Sequence, residues 1–165
     1  MNVTQFDDML INNPALVDQL AQLAPVALLD QARVAQREGL KANEAAMGRR
    51  ARTVPAVKVD DWLRLGALET LCAWSAGDAR TCLHAPEPGR PQPVWSCAWK
   101  PRLVVCGKCV RLLAAPRSTD AVCDCCGHKC GGVDIGDPIT PIAVMVGPLT
   151  YQGGACAACK PSAAP

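Results

Sequence analysis

Aromatic side chains are scarce in this chain: four Trp, one Tyr and one Phe among 165 residues. Half of the residues are apolar, but alanine supplies much of that share and buries little area. A chain of this length holds one ordinary domain or two to three small modules. Small modules with thin cores need an additional staple, covalent or metal. Long hydrophobic runs are also missing. Nothing approaches the roughly eighteen consecutive apolar residues of a membrane helix. The opening stretch MNVTQFDDMLINNPALVDQL carries acids where a secretory leader has lysines, and it has no apolar h-region. A reducing, cytoplasmic setting without membrane association is therefore expected.

Charge of one sign is not in large excess, the formal net charge being +2. Its distribution is uneven. Between Pro88 and Thr119 the bases Arg90, Lys100, Arg102, Lys108, Arg111 and Arg117 occur with no acid among them. A nucleophile–His–carboxylate set, a glycine-rich phosphate loop and an open metal triad are all lacking. The two histidines lie beside cysteines, which leaves neither clearly free as a base. Enzymatic activity and a small-molecule substrate are accordingly not expected.

What is abundant is cysteine, with eleven residues. Residues 106–130, CGKCVRLLAAPRSTDAVCDCCGHKC, hold six of them. In a reducing compartment, closely paired cysteines more often hold metal than each other. Zinc takes four ligands in a tetrahedron, and a Cys-x-x-Cys turn brings two sulfurs together as half of such a site. Three such pairs are present: Cys106/Cys109, Cys123/Cys126 and Cys156/Cys159. The knuckle Cys123-Asp-Cys-Cys126 is followed by Gly127, a residue suited to positive φ as the chain turns away. With Cys156 and Cys159 it makes a Cys₄ set. Cys106 and Cys109 find two further ligands in Cys82-Leu-His84, giving Cys₃His.

Two zinc ions are expected on this spacing, as structural sites with all four positions filled. Cys72, Cys97, Cys125 and Cys130 are read as non-ligands. Cys97 is an alternative fourth ligand for the first set, and Cys125, His128 and Cys130 could exchange into the second. Iron in place of zinc stays open. A thioredoxin-like pair would need a lone Cys-x-x-Cys near a βαβ pattern. A zinc deaminase would show His-x-Glu and Pro-Cys-x-x-Cys. Neither occurs.

The remaining pattern divides the chain. Residues 1–53 read as helical. Thr4 with Asp7 and Asn13-Pro14 are start signals, and Leu16, Val17, Leu20 and Leu23 form one face. A further helix follows Pro25, with an alanine-dominated stripe suited to a small bundle or to docking on a partner. Arg49, Arg50 and Arg52 form a basic cluster at its end. Residues 54–79 form a connecting helix capped by Asp60 or Asp61. Its inward face is expected at Leu65, Leu68 and Cys72, with Trp62 and Trp74 flanking and Cys72 a buried thiol. Residues 80–117 and 118–165 are two hairpin modules. In the first, VWSCAW and RLVVC flank a turn at Lys100-Pro101, with Trp95, Cys97 and Trp99 on one face. In the second, Ile142, Val144 and Val146 alternate before a Gly147-Pro148 turn. PEPGRPQP, residues 86–93, is a loop, and APRSTDAV joins the modules.

From Cys-x-His through the three Cys-x-x-Cys pairs, residues 80–160 resemble the treble-clef and zinc-ribbon family of small zinc proteins. They are also similar to small proteins of GC-rich bacteria and their phages. The first module, with Cys106-Gly-Lys-Cys109 running into VRLLAA, resembles a treble clef; the second is closer to a ribbon. The resemblance implies two zinc-stabilised hairpin modules and leaves the helical segment unexplained; with that segment read from its own pattern in front of them, the expected fold class is α+β. The resemblance assigns no activity; the weak net charge and the alanine-rich helix make a protein-interaction or regulatory module the expected function. The alternative is nucleic-acid binding through Lys100, Arg102, Lys108 and Arg111, with Trp95 and Trp99 for stacking. Bound zinc weakens that alternative: a Cys₃His site is worth about −1 and a Cys₄ site about −2, so +2 becomes about −1.

Overall fold

The computed structural model describes residues 26–47, 59–115, 121–131 and 136–160. Outside them lie the start signals and apolar face expected before Pro25, the arginine cluster at 49–52 and most of the APRSTDAV joint.

Among the described residues, two helices precede the sheet. Helix α1, Val26–Met47, is built almost wholly of good helix formers and has only a weak apolar stripe. Its inward positions are small, with Ala35 and Gly39 buried. A Cβ on Gly39 would meet Met145 Cε at 3.1 Å, so this face lies close against strand β4, Thr140–Val146. Only the Ala35–Gly39 part of this small-residue face is buried; Ala42, Ala45 and Ala46 are exposed. Helix α2, Asp61–Ala76, starts where the Asp60 carbonyl accepts from the Leu63 and Arg64 amides at 3.1 and 3.2 Å. It ends at Gly77, whose φ of 80° is a left-handed cap that suits glycine.

The buried face of α2 is Leu63, Ala67, Thr70, Ala73 and Trp74. This corrects the expected stripe: Leu65 and Leu68 are half-buried and Cys72 is exposed. The reason lies in the partner. Tyr151 fills the groove over Gly66, where a Cβ would stand 2.5 Å from its Oη. Small residues face inward because a large ring comes to meet them. Leu63, Ala67, Val59, Val144 and Tyr151 form one buried cluster, with Trp62 and Ile142 packed against it.

Five strands make a single sheet in the order β1-β3-β2-β5-β4. They are β1 Arg80–Thr81, β2 Val94–Cys97, β3 Lys100–Cys106, β4 and β5 Leu149–Ala155. The chain is thus α+β. Hairpin β4–β5 turns at Gly147-Pro148 as its sequence predicts, with Thr140 paired to Ala155 and Val146 to Leu149. Hairpin β2–β3 turns two residues earlier than predicted, at Ala98-Trp99. Lys100 already pairs with Cys97, and Pro101 sits inside β3. Pro101 is exposed near the strand's start, where a missing donor is tolerated.

The hairpins meet through β2 and β5, which run parallel from Val94↔Leu149 to Cys97↔Gln152. That pairing decides where the cysteine pairs fall. Cys106, at the end of β3, stands opposite Val94 and so shares the edge of the sheet where β5 begins. Cys156 follows the far end of β5. About seven residue steps, from Leu149 to Cys156, separate the two levels, roughly 23 Å.

Candidate metal centres

Each cysteine set is delivered by a strand ending and a turn. In the first, β1 pairs in parallel with β3, Arg80 to Leu103 and Thr81 to Val104. The Cys82 amide continues that ladder to the Val104 carbonyl at 3.3 Å, which sets Cys82 beside Cys106. The Cys106 amide points at Cys82 Sγ from 3.5 Å. After Cys106 a 3-10 helix, Gly107–Leu113, brings Cys109 around. Trp95 lies over its start, 3.2 Å from where a Gly107 Cβ would be. Lys100 Nζ donates to the Leu112 and Ala114 carbonyls at 2.6 and 2.9 Å and Trp99 Nε1 to that of Leu113 at 2.7 Å, fixing its end.

In the second set, the Cys123–Cys126 knuckle closes through the Gly127 amide onto the Cys123 carbonyl at 2.9 Å, with Gly127 at φ 73° as its sequence predicts. The knuckle is tied to β5 in both directions. The Asp124 amide donates to the Gly154 carbonyl at 2.9 Å, and the Gly154 amide to Asp124 Oδ2 at 2.6 Å. Burial raises the Asp124 carboxyl, against that amide. Gly153 and Gly154 leave room for this approach. Cβ atoms there would stand 2.8 Å from the Trp62 ring and 2.6 Å from Ile139.

The result is two four-membered groups, Cys82/His84/Cys106/Cys109 and Cys123/Cys126/Cys156/Cys159. Within each, the ligand atoms all lie within 4.8 Å of one another. A tetrahedral ion with sulfur at ~2.3 Å requires sulfur pairs about 3.8 Å apart, and Cys126 Sγ and Cys156 Sγ are separated by 3.8 Å. Imidazole nitrogen at ~2.0–2.1 Å calls for nitrogen–sulfur edges near 3.5 Å. His84 Nδ1 stands 3.2 Å from Cys109 Sγ and 3.5 Å from Cys106 Sγ. Both groups fit a metal ion held by four protein atoms.

The thiols prepare for one. Burial pushes Cys82 and Cys123 up, but amide hydrogen bonds outweigh it. Those from Cys106 and His84 hold Cys82 at about 7, and those from Cys156, Cys126 and Cys125 hold Cys123 at about 6. Their neighbours move the other way. Burial and the adjoining sulfurs raise Cys109 to about 11, and Cys159 is raised chiefly by its contact with Cys126. Sulfurs this close cannot all ionise without a cation among them.

The remaining cysteines separate cleanly. Cys97 is fully buried in the cluster that backs the first group, its Sγ 4.0 Å from the Leu113 carbonyl, and it is not among the four. Cys125 and Cys72 are exposed and belong to neither group. His128 and Cys130 stay outside the second set. Of the basic residues offered for nucleic acid, Lys100 is engaged as above and Arg102 pairs with Glu69 Oε1 at 3.0 Å. Lys108 and Arg111 are exposed. No helix among the described residues is long and apolar enough to cross a membrane.

Burial raises the Cys97 thiol from 9.0 to about 11. A raised folded value favours the protonated form, so its stabilising effect is complete below pH 9 and is lost as pH climbs through about 11. Thermal melts of Cys97→Val should consequently show a shallower alkaline decline than the parent from pH 8.5 upward. Parallel declines would remove Cys97 as its source.

No protein-family model, curated protein or solved structure matches this chain.

Proposed function

We propose that this is a non-enzymatic zinc protein whose two ions are structural and whose zinc-clamped sheet serves as a protein-interaction or regulatory module. The observation that carries the reading is the completeness of both ligand groups. Four protein atoms close each coordination sphere, leaving no position for a substrate or an activated water. Thiolate and imidazole donors in a tetrahedral spacing favour zinc. A treble-clef-like first unit and a ribbon-like second unit remain the family reading of these hairpins, supported by the knuckle-hairpin-knuckle order and by the 3-10 helix that carries Cys109.

The surroundings of the first centre favour a protein partner. Leu83 is fully exposed between two ligands, and Leu112 is exposed on the 3-10 helix beyond Cys109. Apolar side chains held outward by a rigid knuckle suit a protein surface better than phosphate. The features that suggested nucleic acid are largely occupied within the fold. Trp95 Nε1 donates to Asn43 Oδ1 at 3.1 Å, Trp99 closes the 3-10 helix, and Lys100 and Arg102 are engaged.

Capture from cell extract by the zinc-loaded chain tests this. A retained protein should be released by chelation and retained poorly by the Leu83→Ser, Leu112→Ser variant. Retention unaffected by both, or equal retention by residues 1–53 alone, refutes the assignment to the zinc-bearing sheet. On single-stranded oligonucleotides, little salt-dependent binding is expected, with no change in Lys108→Ala, Arg111→Ala. A steep salt dependence flattened in that variant would instead establish the nucleic-acid function.

A further inference from the structure

Beyond the two closed groups, His128, Cys130 and Asp137 bring a nitrogen, a sulfur and an oxygen within 4.8 Å of one another. We infer that these three side chains form a third metal site, of a different kind: a three-ligand position for a zinc-class divalent cation, with its fourth place open to water.

The backbone builds this arrangement. Val122 and Lys129 form an antiparallel bridge across the knuckle, the Cys123 amide donates to the His128 carbonyl at 2.8 Å, and the Cys130 amide to that of Ala121 at 2.7 Å. His128 and Cys130 thus leave a pinned two-stranded turn at alternate positions, i and i+2, on one side of it. Asp137 is returned to them by its own carbonyl, which accepts from the Gly131 amide at 2.8 Å. His128 Nε2 and Asp137 Oδ2 meet at 2.7 Å in a hydrogen bond, which an ion held by both would open to a tetrahedral edge of about 3.4 Å. Cys130 is nearly buried beside Cys123, Cys156 and Cys159.

Donor chemistry selects the ion. One thiolate, one imidazole and one carboxylate form a borderline-soft set, which suits zinc better than the hard cations magnesium and calcium. Electrostatics add to this. A filled Cys₄ centre carries a net charge of about −2, and the third position lies beside it. A cation with Cys130 and Asp137 as anions is locally neutral. With three ligands and half-exposed His128 and Asp137 side chains, the third ion is expected to bind more weakly and exchange faster than the others. The site supplies what the closed centres lack, a coordination position reachable from solvent.

The test is a zinc titration of the full chain read by native mass spectrometry, with cobalt as the spectroscopic probe. Three ions per chain are expected at saturation, one being lost first to a mild chelator. His128→Ala, Asp137→Asn should take up two, with unchanged far-UV dichroism since both side chains are at the surface. Should that variant misfold, Cys130→Ser provides the same count. The third cobalt equivalent should add weaker thiolate charge-transfer absorption than either of the first two, because it has one sulfur. Saturation of the parent at two, or a third ion that survives in both variants, overturns the inference. A single ion that disappears with His128 and Asp137 would instead refute the closed centres and leave this site standing.

Discussion

Chelation of the zinc-loaded protein is expected to abolish ordered structure in strands β1 to β5 and in the 123–126 knuckle. Structural zinc contributes an apparent 10–16 kcal/mol or so per site near neutral pH, whereas a whole domain is stable by only about 5–15 kcal/mol. The first centre ties three separate pieces of chain, β1, the end of β3 and the 3-10 helix. The second ties the 123–126 knuckle to the end of β5. Without cations, each group leaves several sulfurs in contact and nothing to hold them. Near-UV dichroism should report the loss strongly, because Trp95 and Trp99 pack against the first centre. Hydrogen exchange should show β1 through β5 losing protection.

The sign of the pH effect follows from the same thiols. Zinc uptake displaces protons, most of all at Cys109 and Cys159, whose values are raised. Less chelator should therefore strip the metal as pH falls from 8 to 6. A metal-free chain that keeps its tryptophan signal and its exchange protection would show that the sheet stands without the ions.

The ligand groups were legible in the sequence because coordination imposes local spacing. A Cys-x-x-Cys pair and a glycine at positive φ are signals spread over four or five residues. The β4–β5 hairpin was legible for the same reason. The order of the sheet was not. The pairing of Val94 with Leu149 joins distant residues through backbone groups that every residue carries, so no side-chain pattern marks it. Strand β1 has two residues, both exposed, too short for any alternation. The third candidate ligand group was missed because its members are not paired in the usual way. Cys130 stands alone, and Asp137 is brought back by the hydrogen bond from Gly131 and by its contact with His128. The signal available was His-x-Cys, the mirror of Cys82-x-His84, followed by a carboxylate within ten residues.

The inward face of α2 was also misread, and this carries the second large effect. Leu63 is 1% exposed and Leu65 half-buried, although periodicity alone favoured Leu65. Leu63→Ala removes a side chain from the cluster it forms with Val59, Ala67, Val144 and Tyr151. Buried Leu→Ala changes cost about 2–5 kcal/mol, the upper end applying where the surroundings cannot collapse. Collapse is restricted here, because Tyr151 is already seated over Gly66 and Trp62 over Gly153. Leu65→Ala should cost well under half as much. Denaturant titrations of the zinc-loaded variants give the comparison, with zinc content measured on each. Leu63→Ala should keep its metal in native buffer yet unfold at distinctly lower denaturant. That outcome would separate two sources of stability, the hydrophobic cluster under α2 and the ions proposed at the two ends of the sheet. Equal costs at the two positions would return the helix to the register its leucine spacing suggested, with Tyr151 no longer its partner.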